Sequence, residues 1–214
     1  MKLEIPKGVN VWFTSDTHYN HKNICRGVST WEAGRGTRDF ANLQKMNEEI
    51  VNQINSKVME NDILFHLGDW SFGGFESVTE FRNRIVCKNI HLILGNHDHH
   101  IENNVDDVQD LFASVNQYLK FQINVNRTAN SVDKHNFVIC HYPLGSWHDM
   151  AMGVIHLHGH VHLPSHLKIG DGKAMDVGVD GNNMAVYSLQ EITNIMKKQP
   201  ISSLRLPKDH HEQK

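Results

Sequence analysis

Three carboxylates, one amide and five imidazoles stand in short clusters along the chain: Asp16-Thr17-His18, Gly68-Asp69, Gly95-Asn96-His97-Asp98, His141 and Gly159-His160-Val161-His162. Carboxylate and amide oxygens with neutral imidazole nitrogens form a donor set that suits divalent manganese, iron, nickel or zinc. Asp16, His18, Asp69, Asn96, His141, His160 and His162 together would supply enough ligands for two ions. Asp69, with two oxygens on one carbon, could bridge a pair of cations about 3.5–4 Å apart. The chemistry to expect is hydrolysis at a two-metal centre. Singly, each cluster has a blander reading, an Asp hydrogen-bonded at a strand end or a packed histidine. The ordered set is what carries the inference.

The elements around the clusters explain how they could meet. Val9 to Thr14, Ile63 to Leu67, Ile90 to Leu94, Phe137 to Cys140 and Val154 to Leu157 are apolar runs that read as strands, and a cluster follows each. Strand ends are where α/β proteins gather residues distant in sequence. The backbone alternates past the strand, so Asp16 can point to the same side as His18, and His160 and His162 share one side of an extended backbone. Gly68 permits a tight turn that exposes Asp69.

Between the first strands, Phe40, Leu43, Met46, Ile50, Ile54 and Val58 recur at three- and four-residue intervals, predicting an amphipathic helix of about five turns. Phe75 to Val86 predicts a second. This strand–helix alternation predicts a parallel sheet. Ser15 to Arg38 reads as a long functional loop. The later half reads as a short helix over Val105 to Phe112 and then strands: Tyr118 to Val125, Asn136 to Cys140, Met175 to Val179 and Met184 to Tyr187. A polar turn over Asn126 to Lys134 would join the first two of these strands. Ser188-Leu189-Gln190-Glu191 is a capping box that opens a last helix through Lys197.

At 214 residues a single domain spanning 1–214 is expected, and the net charge of −3 argues against an extended nucleic-acid surface. Three widely spaced cysteines with no CxxC suit free thiols in a reducing cytoplasm. No apolar run approaches the ~20 residues needed to cross a membrane, and residues 1–6 lack a signal-peptide core. A soluble, cytoplasmic protein is the expectation. Oligomeric state is not legible.

The series DxH, GD, GNHD, a lone His and GHxH, filled here from Asp16 to His162, resembles the calcineurin-like metallophosphoesterase superfamily, and small bacterial-type phosphodiesterases within it. The resemblance implies an α/β fold, a four-layer α/β/β/α sandwich of two mixed sheets. It implies one metal held by Asp16, His18, Asp69 and His162, and a second held by Asp69, Asn96, His141 and His160. His97 is left without a metal, as a catalytic residue that steadies the transition state or protonates the leaving oxygen, with Asp98 orienting it. Two cations, manganese first with iron, nickel or zinc as alternatives, would lower the pKa of a bridging water and make hydroxide available to attack phosphorus. Trp70-Ser71-Phe72-Gly73-Gly74 lacks the Asp-Arg pair of the Ser/Thr protein phosphatase branch, which disfavours a phosphoprotein substrate.

The function expected is a phosphodiesterase on a small nucleotide-like or cyclic diester. The alternatives are a phosphomonoesterase on nucleotides or sugar phosphates, and a binding scaffold that has kept the fold without the activity. Among the seventeen histidines, His21 in the long loop and His148 after His141 are candidate substrate contacts. His66, His91, His156 and His158 read as packing or supporting groups.

Overall fold

The computed structural model describes residues 2–32, 36–104, 107–128, 131–164 and 166–203, with the backbone alone for 126–128 and 131. The buried apolar runs become β2 (Val11–Thr14), β3 (Ile63–His66) and β4 (Asn89–Ile93), joined in parallel register. Between them lie α1 (Leu43–Asn55) and α2 (Phe75–Arg84), as the helical spacing requires. α1 is shorter than the spacing predicted. Asn42 caps its start by accepting from the Lys45 N–H at 2.9 Å, so the helix begins after Phe40. After the four-residue α3 (His99–Glu102), β5 (Ser114–Asn116) extends the sheet in parallel.

The second half makes the other sheet. β6 (Tyr118–Thr128) and β7 (Ser131–Cys140) pair antiparallel. They reach further than their apolar cores, because ladder pairing of Asn126 with Val132 and of Thr128 with Ser131 continues into the stretch that composition marked as a turn. β8 (Ile155–His158) and β9 (Ala174–Asp176) follow in parallel, and β1 (Lys2–Glu4) adds to the far edge against β6. β10 (Tyr187–Ser188) returns antiparallel to β2 in the first sheet. The capping box then starts α4 (Leu189–Lys197) where expected. The short β1 and β5 carried no apolar signal. The helix expected over Val105 to Phe112 falls partly outside the described residues; within them is a 3-10 turn, Gln109–Leu111.

The result is two mixed five-stranded sheets, ordered β10-β2-β3-β4-β5 and β1-β6-β7-β8-β9, packed face to face as an α/β sandwich. Phe13, Phe65, Phe121 and Phe137 interlock between the sheets, with Phe13 and Phe65 stacked at 5.3 Å. α1 and α2 cover the first sheet through Met46, Ile50, Ile54, Val78 and Phe81, all buried. The second sheet's outer face is covered around Val138 and Ala174 by Trp147 and Met150, the latter in a 3-10 turn, Met150–Met152. Parallel strands send their C-terminal ends the same way, so the segments after β2, β3, β4, β7, β8 and β9 emerge together.

Candidate metal centre

Five of the seven expected ligands leave the extended conformation altogether. Asp16, His18, Asp69, His160 and His162 have φ of 55°, 48°, 55°, 73° and 50°, all in the left-handed region. Each such residue costs about 1–3 kcal/mol unless its surroundings impose it. The expected simple alternation along an extended backbone is therefore replaced by tight left-handed turns. Main-chain bonds hold them: Asp16 N donates to Gly68 O (2.9 Å) and His18 N to Asp69 O (3.0 Å), lacing the segment after β2 to that after β3. Gly68 turns at φ 100° to bring Asp69 round. Gly95 and Gly159 matter for space instead. A Cβ on Gly95 would lie 2.3 Å from Asp69 Oδ1, and one on Gly159 would lie 2.3 Å from Asp16 Oδ2.

The seven side chains converge. On one side, His18 Nε2 and His162 Nε2 face each other at 3.2 Å, with Asp16 Oδ1 3.9 Å and 3.7 Å from them. On the other, Asn96 Oδ1 lies 3.1 Å from His141 Nε2 and 2.9 Å from His160 Nδ1. Asp69 Oδ2 sits between the two sets, 3.6 Å from His18 Nε2 and 3.5 Å from His141 Nε2. His160 and His162 thus turn to opposite sets. Bonds of ~2.0–2.2 Å to one cation put neighbouring donor atoms roughly 3–3.5 Å apart, close to the spacings seen here. Asp16 with His18 and His162, and Asp16 with Asp69 and His141, each bring their donor atoms within 4.8 Å of one another. The donor set fits divalent cations.

Burial, opposed by His162 and reinforced by Asp176 and Asp69, raises the Asp16 carboxyl to about 7. Burial also lowers the imidazoles of His18, well below the usual range, and of His141, leaving neutral rings with lone pairs to offer. His162 goes the other way. Burial lowers it, but the Asp180 hydrogen bond and the charges of Asp16 and Asp180 outweigh that and raise it.

Asp180 is a site residue the sequence did not single out. It follows β9, accepts from His162 Nδ1 at 2.6 Å and is gripped by Arg38 through Nε (2.8 Å) and Nη2 (2.8 Å). Arg38, itself buried, also donates to the carbonyls of Asp16 (2.6 Å) and Thr17 (2.7 Å). Burial would raise Asp180, yet Arg38 and His162 hold its carboxyl far below the usual carboxylate range. The only signal available was an Asp soon after a predicted strand, which is too common to read. The long loop that Arg38 closes is held in two 3-10 turns, Lys22–Ile24 and Arg26–Val28.

His97 stands exposed at the mouth of a cavity of about 380 Å³ lined also by His18, His21, Trp31, Asp69, Asn96, His160 and His162. Its main-chain N donates to Asp69 Oδ1 (2.9 Å) and its ring packs on Phe72. Asp98, expected to orient that ring, is engaged otherwise. Its oxygens accept from the main-chain N–H of Gly95 (2.8 Å), Asp69 (2.8 Å) and Trp70 (2.9 Å), so it fixes the loops and not the imidazole. His21 reaches the cavity, with Nδ1 accepting from Ile24 N (3.1 Å) and its ring against Phe72. His148 does not. It pairs with Lys120 (3.1 Å) and Asp149 (2.9 Å) beside a separate groove of about 450 Å³ that also includes Lys2 and Met152. His66 and His156 are buried and bonded to Thr17 and to Val138 O, supporting roles as expected.

A family model described as calcineurin-like phosphoesterase matches residues 9–208. Among curated proteins, the chain is 26% identical over 193 residues to the uncharacterized protein MJ1445 of Methanocaldococcus jannaschii, covering 88% of this chain and 92% of that one. It is 27% identical over 169 residues to the Gene 66 protein of Mycobacterium phage D29, covering 72% and 78% respectively. Its fold is similar to the crystal structure of the protein of unknown function AQ665 from Aquifex aeolicus. There the TM-score is 0.56 at 19% identity, over 88% of this chain and 100% of the other. At that identity the likeness concerns the fold alone. No helix of the described residues is long and apolar enough to cross a membrane.

Proposed function

The chain belongs to the calcineurin-like phosphoesterases, a family of metal-dependent phosphoester hydrolases, and from that premise we propose that it is a phosphodiesterase acting on a small nucleotide-like or cyclic phosphodiester. On this reading residues 1–214 are one catalytic domain working in the cytoplasm. Asp16, His18, Asp69 and His162 would hold one divalent cation, and Asp69, Asn96, His141 and His160 would hold a second, manganese being the first choice. The observation that carries the reading is the position of Asp69 Oδ2, nearly equidistant from His18 Nε2 and His141 Nε2.

Two bound cations would supply Lewis-acid stabilisation of phosphoryl oxygens and an activated water for in-line attack. The protein's own groups do the rest. The left-handed turns and the Arg38–Asp180–His162 chain hold the donors in place before substrate arrives. His97, fixed through its main-chain N to Asp69 and braced by Phe72, can place a proton on the leaving oxygen as the bond from phosphorus breaks. The exposed cavity mouth suits a small ester; the stretch 70–74 offers no Arg for a phosphoprotein. His21 lies along the same cavity and is a substrate contact in this scheme, a role His148 does not share.

A screen of bis-p-nitrophenyl phosphate and p-nitrophenyl phosphate with manganese tests this. The diester should be preferred, and His97→Ala should lower kcat by about 10²–10⁴-fold with two ions still bound. Preference for the monoester would favour the phosphomonoesterase reading. No turnover of any ester, with fewer than two ions per chain, would leave a binding scaffold.

A further inference from the structure

Trp31 differs from the other tryptophans of the chain. Trp70 and Trp147 are 0% and 8% exposed, and their indole N–H groups donate to Val78 O and Val154 O. Trp12 donates to Asp62 Oδ2. Trp31 is 42% exposed, and its indole N–H has no partner among the described residues. It nevertheless stands on a built loop. Asn23 Oδ1 accepts from the Thr30 main-chain N–H (3.1 Å) and hydroxyl (3.0 Å), and Ser29 Oγ accepts from Trp31 N (3.1 Å). The indole therefore lies outside the core, on a loop whose backbone is held by hydrogen bonds.

Trp31 lines the same cavity of about 380 Å³ as His18, Asp69, His97 and His162. That volume lies within the range of small-molecule sites. Its only ring neighbour among the described residues is His21, edge-on at 5.7 Å and 62°, so no ring stacks on the indole face. His21 is itself fixed, capping the 3-10 turn through Nδ1 and packed edge-on against Phe72 at 3.7 Å. The metal-ligand end of the cavity is polar and suits a phosphate. The Trp31 end is apolar, aromatic and preset.

We propose that Trp31, braced by His21, is a stacking wall for a flat aromatic ring carried by the substrate, so that the preferred esters are those of nucleosides. This rests on the phosphoesterase reading above. A planar base laid on an indole covers apolar surface on both partners without needing a hydrogen-bond match, so the wall would accept several bases. The indole N–H, without a partner among the described residues, leaves one donor for a ring or ribose oxygen.

The test compares two five-membered cyclic diesters, adenosine 2′,3′-cyclic phosphate and glycerol 1,2-cyclic phosphate, on the manganese-loaded protein. Trp31→Ala should reduce the ratio of their kcat/KM values by between about 5-fold and about 100-fold, chiefly through KM for the nucleotide. Trp31→Phe, which keeps a ring, should restore much of it. Binding is read separately. Adenosine 5′-monophosphate should quench the fluorescence that Trp31→Phe removes, and ribose 5-phosphate should not. An unchanged selectivity ratio in Trp31→Ala, or equal binding of the two monophosphates to wild type and Trp31→Ala, overturns the stacking wall. Selective quenching by the nucleotide with no turnover of either diester would instead sink the catalytic reading and leave the aromatic subsite standing.

Discussion

Asp180 reaches the centre through His162 and through Arg38, and its hydrogen bond decides which nitrogen of His162 faces the ligand cluster. With Nδ1 committed to the carboxylate, Nε2 carries the lone pair toward Asp16 and His18. Supporting carboxylates of this kind typically affect metal affinity by about 10–100-fold, so Asp180→Asn should weaken manganese binding by that factor in a calorimetric titration. Unchanged affinity would remove Asp180 from the site. The same residues set a pH dependence. Metal binding needs Asp16 ionised and His162 neutral. Asp16 titrates near 7 and His162 is raised, so below about pH 7 a proton competes with the cation. The affinity for manganese should therefore rise between about pH 6 and 8, with proton release visible when buffers of different ionisation enthalpy are compared. A flat profile over that range contradicts the assignment of Asp16.

At the scale of the elements, the strands deliver the clusters and the turns after them do the aiming. A left-handed turn reverses direction in one residue, which is how ligands two apart in sequence, His160 and His162, serve different donor sets. Such turns need room where the two sheets' ends meet. Gly159 supplies it, since a Cβ there would sit 2.0 Å from Ser15 Oγ and 2.3 Å from Asp16 Oδ2. Gly159→Ala should push Asp16 out of line and cut bound manganese below two ions per chain by elemental analysis. Gly145→Ala, where a Cβ meets nothing within 4 Å, is the control expected to bind normally. Equal metal content in both variants would mean that the close approach is not needed.

For the molecule as a whole, a cluster of buried carboxylates and imidazoles makes folding and metal binding one equilibrium. Bringing Asp16, Asp69 and Asp98 together out of water is unfavourable without a cation, as the raised Asp16 carboxyl shows. Manganese at about 100 times its Kd would add about 2.7 kcal/mol of stability, raising Tm by about 5–10 °C for a chain of this length, and a chelator should reverse the shift. Calorimetry with and without chelator decides it. Coincident transitions would show that the donors hold no ion in solution.

The donor types, their order and their places after strands were written in the chain, because apolar runs, capping residues and ligand chemistry are local properties. So were the parallel half of the first sheet and the capping box of α4. What the chain could not show was set by contacts between distant segments. The extension of β6 and β7 through polar residues comes from their ladder, and the short β1 and β5 exist only because a sheet edge receives them. Asp98's commitment to three main-chain N–H groups, Asp180's grip on His162 and His148's exile from the cavity were decided the same way. A side chain's chemistry is fixed by its type, whereas its partners are fixed only when both sheets close around it.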